Sequence, residues 1–121
     1  MIALLKGSSD TVDKVSELVK KGEPIATTII TAYELLKGAY ISSRREENLS
    51  DVRAALSNIQ VLDLSPEACE EAANIHCELK KSGKLISEFD ILIASIAKTN
   101  NEAILTIDQH FRSVKGLELV R

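Results

Sequence analysis

Three carboxylates stand at places in the sequence from which they could act together: Glu34, Asp90 and Asp108. Glu34 and Asp108 each follow a predicted strand, and Asp90 lies in the first turn of a predicted helix. In open parallel sheets flanked by helices, ligands bind at the carboxyl ends of the strands. Glu34 and Asp108 are therefore expected at that rim of the sheet, and Asp90 joins them if its helix starts there.

Three acids that converge on one rim repel one another and raise each other's pKa values unless a cation neutralises them. Sites made only of oxygen ligands suit Mg²⁺ or Mn²⁺, which keep several waters and use few protein carboxylates. Such an ion activates water for attack on a phosphodiester and stabilises the leaving oxygen. The acids thus favour a metal-dependent hydrolase acting on phosphate esters, although their spacing does not name the substrate.

Each acid also has a purely structural interpretation. Thr31 and Glu34 fit a capping box, in which the hydroxyl and the carboxylate satisfy free N–H groups at the start of a helix. Ser87 and Asp90 form a similar pair with aspartate in place of glutamate, and Asp108 fits an N-cap for the turn that follows it. A generic α/β domain with well-capped helices is therefore an alternative to an active site.

The elements that must position these acids alternate between strand and helix. Runs of β-branched or apolar residues bounded by turn signals predict strands at residues 25–30, 61–64, 103–107 and 117–120. Apolar residues at helical spacing predict helices from about residue 31, over about 49–59, over about 66–82 and over about 87–100. This alternation predicts a single domain over residues 1–121, an α/β fold with a mostly parallel sheet covered by helices on both faces.

Composition limits the ways in which such a domain could meet a partner. The net charge is −3 and the pI about 5.4, so charge alone does not suit the chain to gripping nucleic acid. A metal ion or a local basic patch must offset the acidity if the partner is RNA. Aromatic residues make up 3% of the chain, which argues against base stacking as the main binding device. Lys37, Arg44 and Arg45 could contact phosphates, and a solvated helix end is the competing interpretation.

Cys69 and Cys77 lie about 12 Å apart along one predicted helix, too far for a disulfide within that helix. His76 adjoins Cys77, but no Cys-x-x-Cys or His-x-x-x-His pair is present to anchor zinc, so we expect two buried apolar thiols. No apolar run approaches the roughly 18–20 residues that cross a bilayer, and residues 1–7 lack a basic leader and a cleavage pattern. The sequence therefore favours a cytoplasmic protein without a membrane span.

Three segments resemble, in order, the motifs of PIN-domain ribonucleases of the VapC toxin type. Thr31-Ala-Tyr-Glu-Leu-Leu-Lys-Gly38 is similar to the family's Thr-x-x-Glu-Leu-x-x-Gly segment. Asp90-Ile-Leu-Ile-Ala-Ser-Ile-Ala97 is similar to its Asp-x-Leu-Ile-Ala-Ala-x-Ala segment, and Leu105-Thr-Ile-Asp-Gln-His-Phe111 to its Thr-x-Asp-x-x-Phe motif. Any one of these motifs is weak, whereas three in order at about the right spacing make a fairly specific match over nearly the whole chain.

The resemblance implies a three-layer α/β/α sandwich and a metal-dependent endoribonuclease, often a toxin neutralised by a small VapB-type antitoxin. By resemblance, Asp90 would be the main ligand of Mg²⁺ or Mn²⁺, and Asp108 a second ligand or an outer-sphere acid. Glu34 would orient metal-bound water. Thr31 and Thr106 would support the acids through hydroxyl hydrogen bonds. An RNA substrate, a VapB-like antitoxin and a homodimer are the partners that the resemblance implies.

The start of the chain departs from the family's pattern. The family opens with a mid-sheet strand that ends in Asp, followed by an apolar helix start, and residues 2–7 resemble that helix start. The first strand and its aspartate are therefore expected to be absent, either because a longer gene product is shortened here or because the cell makes a crippled site.

The loss of one acid has a functional consequence, because catalytic groups that act as a unit fail together. We therefore expect an impaired ribonuclease. The alternative is a catalytically inert PIN-like binding module that engages an antitoxin or a homologue. A sheet without its middle strand would also need compensation, which a swapped or tightly associated homodimer could supply.

Overall fold

The computed structural model describes residues 3–5, 17, 20–22, 25–101, 103–105, 114–117 and 119–120. These ranges contain strands β1 (Ala3–Leu5), β2 (Ile25–Thr28), β3 (Gln60–Leu62), β4 (Ala103–Leu105) and β5 (Leu119–Val120). They also contain helices α1 (Ile29–Ile41), α2 (Arg45–Ser57), α3 (Pro66–Lys81) and α4 (Glu88–Thr99). The sheet has the order β3-β2-β1-β4-β5, and each of its pairings is parallel. This arrangement confirms the predicted α/β fold with a parallel sheet.

The centre of the sheet is occupied by β1, where we expected no strand. Ala3 pairs with Ile25 of β2 on one side and with Ala103 of β4 on the other. The expectation of an absent middle strand is therefore wrong, as is that of a helix start at Ala3–Leu5. The physical reason is that β2 and β4 each direct backbone N–H and C=O groups towards the centre, and buried groups of this kind must be bonded. An Ala-Leu-Leu segment also suits a central parallel strand, because both faces of such a strand are covered.

The junction between β2 and α1 lies earlier in the chain than predicted. The strand ends at Thr28 rather than residue 30, and the helix begins at Ile29 rather than at Thr31. Thr28 has an extended backbone, and its Oγ1 accepts a hydrogen bond from the backbone N–H of Thr31 at 3.1 Å. Ile29 and Ile30 favour strand by their side-chain type, but this capping hydrogen bond decides the local structure.

Helices α3 and α4 begin where the sequence predicts. Ser65 Oγ accepts a hydrogen bond from the Ala68 N–H at 3.0 Å, and Pro66 follows in the first turn. Ser87 Oγ accepts from the Asp90 N–H at 3.2 Å. The two helices pack together through buried apolar residues, which form the main core with Ala26 of β2: Ala72, Ile75, Leu79, Ile91, Ile93, Ala94 and Ala97. A second apolar cluster joins α1 to α2 through Ala39, Leu49 and Val52.

Cys69 and Cys77 are free thiols on the exposed side of α3. Their predicted burial is wrong, because the buried face of α3 is formed by Ala68, Ala72, Ile75 and Leu79, and neither cysteine falls on it. Within the described ranges, no helix is long and apolar enough to cross a membrane.

The relative position of α3 and α4 is also fixed by an ion pair. Lys98 Nζ lies 2.6 Å from Glu71 Oε1, and the two side chains are 23% and 26% exposed.

Gly116, in the turn before β5, has a φ of +77°, and a Cβ there would lie 3.3 Å from Lys98 Cε. A glycine therefore suits this turn both in backbone conformation and in the close approach of Lys98.

Candidate active site

The carboxyl-terminal rim of the sheet receives the beginnings of α1 and α4. Thr28 ends β2 opposite Leu62 of β3, and α1 begins at the next residue. Residues 100–102 connect the end of α4 to β4, which is parallel to β2 and the other strands. Because this connection is short, the last turn of α4 lies near the amino end of β4, and its first turn lies towards the opposite rim. Both helices therefore present their N-terminal turns to the region where ligands bind in such sheets.

Two aromatic side chains join these helix beginnings. The rings of Tyr33 on α1 and Phe89 on α4 meet edge to face, with centroids 5.8 Å apart and planes at 86°. The ammonium of Lys37, one turn further along α1, lies 5.3 Å from the centroid of Tyr33 and 5.5 Å from that of Phe89. Both geometries are favoured by the charge distribution of the rings. We refer to Tyr33, Lys37 and Phe89 as the ring cluster.

Each aromatic residue of the ring cluster immediately precedes one of the predicted acids. Glu34 follows Tyr33, and Asp90 follows Phe89, so the contact between the rings brings the two acids to neighbouring helix turns. Asp90 is the third residue of α4 and only 4% exposed. Glu34 is the sixth residue of α1, and its Oε1 atom is buried. Asp90 and the Oε1 atom of Glu34 are thus shielded from solvent, whereas Tyr33 is 53% exposed.

The capping interpretation has different outcomes at the two acids. Glu34 is not in a capping box with Thr31, because α1 is capped by Thr28. Thr31 is fully buried, and its Oγ1 accepts a hydrogen bond from Thr28 Oγ1 at 3.3 Å. At α4, the hydroxyl of Ser87 does bond the N–H of Asp90, as the capping pattern predicts. This bond uses the backbone of Asp90 rather than its carboxylate, so it does not explain why the acid itself is buried.

The described acids fit a hard divalent cation in their chemistry, because carboxylate oxygens are the ligands that such cations take in proteins. Asp108 and Thr106, the third acid and its neighbouring threonine, lie outside the described residues. Within the described part of the chain, no three His, Cys, Asp or Glu side chains form a group that could hold a metal ion. The ligand pair of Asp90 and Asp108, and the supporting roles of Thr31 and Thr106, stay predictions.

The basic residues after Glu34 fall into two groups. The guanidinium of Arg44 hydrogen-bonds Glu47, and Arg45 Nε donates to the carbonyl oxygen of Tyr40 at 2.8 Å. Arg44 and Arg45 therefore stabilise the junction of α1 and α2, which favours the interpretation of a solvated helix end. Lys37 differs, because its ammonium lies over the two rings beside the acids.

The ring cluster is the part of the site that the sequence interpretation missed. The low aromatic content of the chain gave no reason to expect rings at the site. The sequence shows only that an aromatic residue directly precedes each of two acids and that Lys37 follows Tyr33 at the spacing that brings helical side chains together; it does not show that the two rings meet.

Comparison with known proteins identifies the family of this chain. The sequence pattern of the PIN domain matches residues 1–117. The ribonuclease VapC2 of Haemophilus influenzae is 35% identical over 92 residues, which cover 76% of this chain and 68% of that relative. The tRNA(fMet)-specific endonuclease VapC of Shigella flexneri is 34% identical over 89 residues, covering 73% of this chain and 67% of the relative.

A solved structure shows the same fold. A chain in the crystal structure of VapBC2 from Rickettsia felis, bound to a DNA fragment from their promoter, matches with a TM-score of 0.88 and 28% identity. The match covers 99% of this chain and 98% of that one. This chain therefore belongs to the PIN-domain family, among the VapC ribonucleases. The resemblance drawn from the three sequence motifs is confirmed.

Proposed function

We propose that this protein is a VapC-type endoribonuclease that uses Mg²⁺ or Mn²⁺, with cleavage impaired by the lack of the family's first acid. The contact between Tyr33 and Phe89 carries the proposal, because it brings Glu34 and Asp90 to neighbouring helix turns at the ligand-binding rim. The relatives from Haemophilus influenzae and Shigella flexneri, which are a ribonuclease and a tRNA(fMet)-specific endonuclease, support RNA as the substrate.

The chain's own residues divide the work of hydrolysis. A bound divalent cation would supply Lewis-acid stabilisation of the phosphodiester and lower the pKa of a water molecule. Asp90 would hold that cation together with Asp108. Glu34, which approaches from the other helix, would accept a hydrogen bond from the attacking water and align it. The hydroxyls of Thr31 and Thr106 would restrict the orientations of the acids.

The impairment follows from the residue after β1. By resemblance, the family's opening strand ends in aspartate, whereas in this sequence β1 is followed by Lys6. A lysine ammonium donates hydrogen bonds and cannot ligate a cation. Because catalytic groups that act as a unit fail together, a set of three acids is expected to cleave far more slowly than one of four.

The presence of Lys6 rather than an acid after β1 also favours a second candidate, an inert PIN-like binding module that engages an antitoxin or a homologue. The Rickettsia felis neighbour is a VapBC2 assembly on promoter DNA, which supports a VapB-like antitoxin as the partner in either case.

We also propose a homodimer in the cytoplasm. Ile41, which is 80% exposed at the end of α1, is the side chain that we propose a second chain covers. A monomeric mass by light scattering at micromolar concentration would contradict the dimer.

The test is Mn²⁺-dependent cleavage of end-labelled RNA by the purified chain, with Asp90→Asn beside it. Mn²⁺ binding combined with weak cleavage that is lost in the variant agrees with an impaired nuclease. Robust cleavage lost in Asp90→Asn shows that three acids suffice and overturns the impairment. Mn²⁺ binding without any cleavage supports the inert module. Failure to bind Mn²⁺ contradicts the proposed metal site.

A further inference from the structure

The ring cluster leaves an aromatic surface exposed directly beside the acids. Tyr33 is 53% exposed although Phe89 contacts its ring and Lys37 lies over it. Unpaired nucleobases stack on aromatic side chains of this kind, and nearby cations bind the phosphates that connect them. The ring cluster thus offers both contacts at one place.

We propose that Tyr33 is a stacking platform for one unpaired nucleobase of single-stranded RNA, and that Lys37 binds a phosphate of the same segment. This inference rests on the proposed function, since it takes RNA as the ligand. The stacked nucleotide adjoins the phosphodiester that is presented to Glu34 and Asp90. The platform therefore selects RNA whose bases are unpaired at the point of cleavage.

The orientation of the platform is set before RNA arrives. The edge-to-face contact holds the Tyr33 ring at 86° to the ring of Phe89, and the two residues belong to different helices. A ring held in this way loses little conformational freedom when a base stacks on it, so more of the stacking free energy appears as affinity.

Lys37 is placed to act with the same nucleotide. Among the described residues, its ammonium lies over the two rings and forms no ion pair. Its distance of 5.3 Å from the Tyr33 centroid is short enough for one nucleotide to reach both groups. An ammonium over a ring keeps its charge and remains able to bind a phosphate oxygen.

Tyr40 provides a matched control on the same helix. It is 50% exposed, and the guanidinium of Arg45 lies 5.9 Å from its ring centroid, so it resembles Tyr33 in exposure and in its cationic neighbour. Tyr40 lies about two helical turns further from the rim, however, and no candidate acid is next to it. The platform predicts an effect at Tyr33 and none at Tyr40.

Tyrosine fluorescence can report stacking on Tyr33 directly. The protein has two tyrosines and no tryptophan, so tyrosine emission from Tyr40→Phe protein comes from Tyr33 alone. We expect a single-stranded oligoribonucleotide, added with Ca²⁺ in place of Mn²⁺, to quench this emission by about half or more. The same backbone with abasic residues should quench it little, and Tyr33→Phe protein should show no base-dependent quenching. Equal quenching by both oligonucleotides, or none by either, overturns the platform.

Affinity gives an independent test that needs no cleavage. In fluorescence anisotropy with a labelled oligoribonucleotide, Tyr33→Leu should weaken binding roughly 5- to 150-fold, the range expected for loss of one stacked base. Tyr33→Phe keeps the ring and should bind within about threefold of the original chain, and Tyr40→Leu should bind unchanged. If Tyr33→Leu lowers thermal stability but leaves RNA affinity unchanged, the rings serve packing and the platform is wrong. RNA binding that depends on Tyr33 without any cleavage would contradict an active nuclease and leave the platform standing.

Discussion

Helices α1 and α4 start at the same rim of the sheet, but their first residues are held in different ways. The N-cap of α1 is Thr28, the last residue of β2, and it is fully buried. The N-cap of α4 is Ser87, an exposed residue at the end of an irregular segment. Thr31 and Ser87 are each followed by an acid three residues later. Of these two hydroxyls, only that of Ser87 caps its helix. The same sequence pattern therefore marks a true helix start at α4 and not at α1.

This difference agrees with the distinct roles that we propose for the two acids. The start of α1 is fixed by the sheet itself, so Glu34 is carried on a helix with little freedom to shift against the rim. The start of α4 depends on its cap and on the packing of its apolar face against α3. Asp90 lies in the first turn of α4, where the helix N-terminus stabilises its negative charge. We propose that the carboxylate binds the cation from this position.

The largest effect is expected at Asp90. Asp90→Asn keeps the shape of the side chain and removes its charge, so Mn²⁺ affinity should fall by about 100-fold or more, beyond the loss typical of outer-sphere partners. Titration followed by electron paramagnetic resonance of free Mn²⁺ measures this change. Asp51→Asn is the control, because Asp51 is an exposed acid on α2. Equal affinities of the original chain and Asp90→Asn would remove Asp90 from the metal site.

The next effect is on folding, at the buried cap of α1. Thr28→Val keeps the β-branched shape but removes the hydroxyl that accepts from the Thr31 N–H and donates to Thr31 Oγ1. We expect the free energy of unfolding to fall by about 2 kcal/mol, the upper range for loss of an N-cap, because the orphaned groups are buried. Urea unfolding measures it, and Thr28→Ser, which keeps the hydroxyl, should lose about half as much or less. A loss below about 0.5 kcal/mol would show that the sheet alone sets the start of α1.

The helix starts also show which parts of the fold could be predicted from the sequence. Ser65, Pro66 and Ser87 are local signals, since a cap acts within one helical turn, and α3 and α4 begin where those signals stand. The start of α1 could not be placed, because Ile29 and Ile30 favour strand while Thr28 forms its cap. Strand β1 was missed because three apolar residues fit a strand and a helix start equally well. Its pairing partners decide the outcome, and they lie far away in the chain.

The sequence proposes residues for the candidate site but does not give their arrangement. The family motifs identify Glu34 and Asp90, but nothing local indicates that their helices touch. That information lies in the contact between Tyr33 and Phe89, a pairing between distant parts of the chain. Periodicity within one element carries no trace of such a pairing, so it emerged from the structure alone.

A smaller effect is expected at Glu34. If this acid aligns water while Asp90 holds the cation, Glu34→Gln should weaken Mn²⁺ binding by about tenfold, the lower end of the range for outer-sphere partners. The same titration compares it with Asp90→Asn, and Glu46→Gln on the exposed side of α2 is the control. A loss at Glu34 as large as that at Asp90 would make the two acids equal ligands and cancel the division of roles between the helices.

The smallest effect belongs to the exposed cap of α4. Ser87→Ala removes one hydrogen bond to the Asp90 N–H, and water can replace it in part, so the free energy of unfolding should fall by about 0.5–1 kcal/mol. This loss should be smaller than that of Thr28→Val, since Ser87 is exposed and makes one such bond, whereas the buried hydroxyl of Thr28 makes two. Mn²⁺ affinity shows whether the Ser87 cap, besides stabilising the helix start, also positions the Asp90 carboxylate. An affinity within about threefold of the original chain means that packing against α3 holds Asp90 in place without its cap. An affinity as low as that of Asp90→Asn would mean that the cap itself positions the acid, and that the two helix starts matter equally for the site.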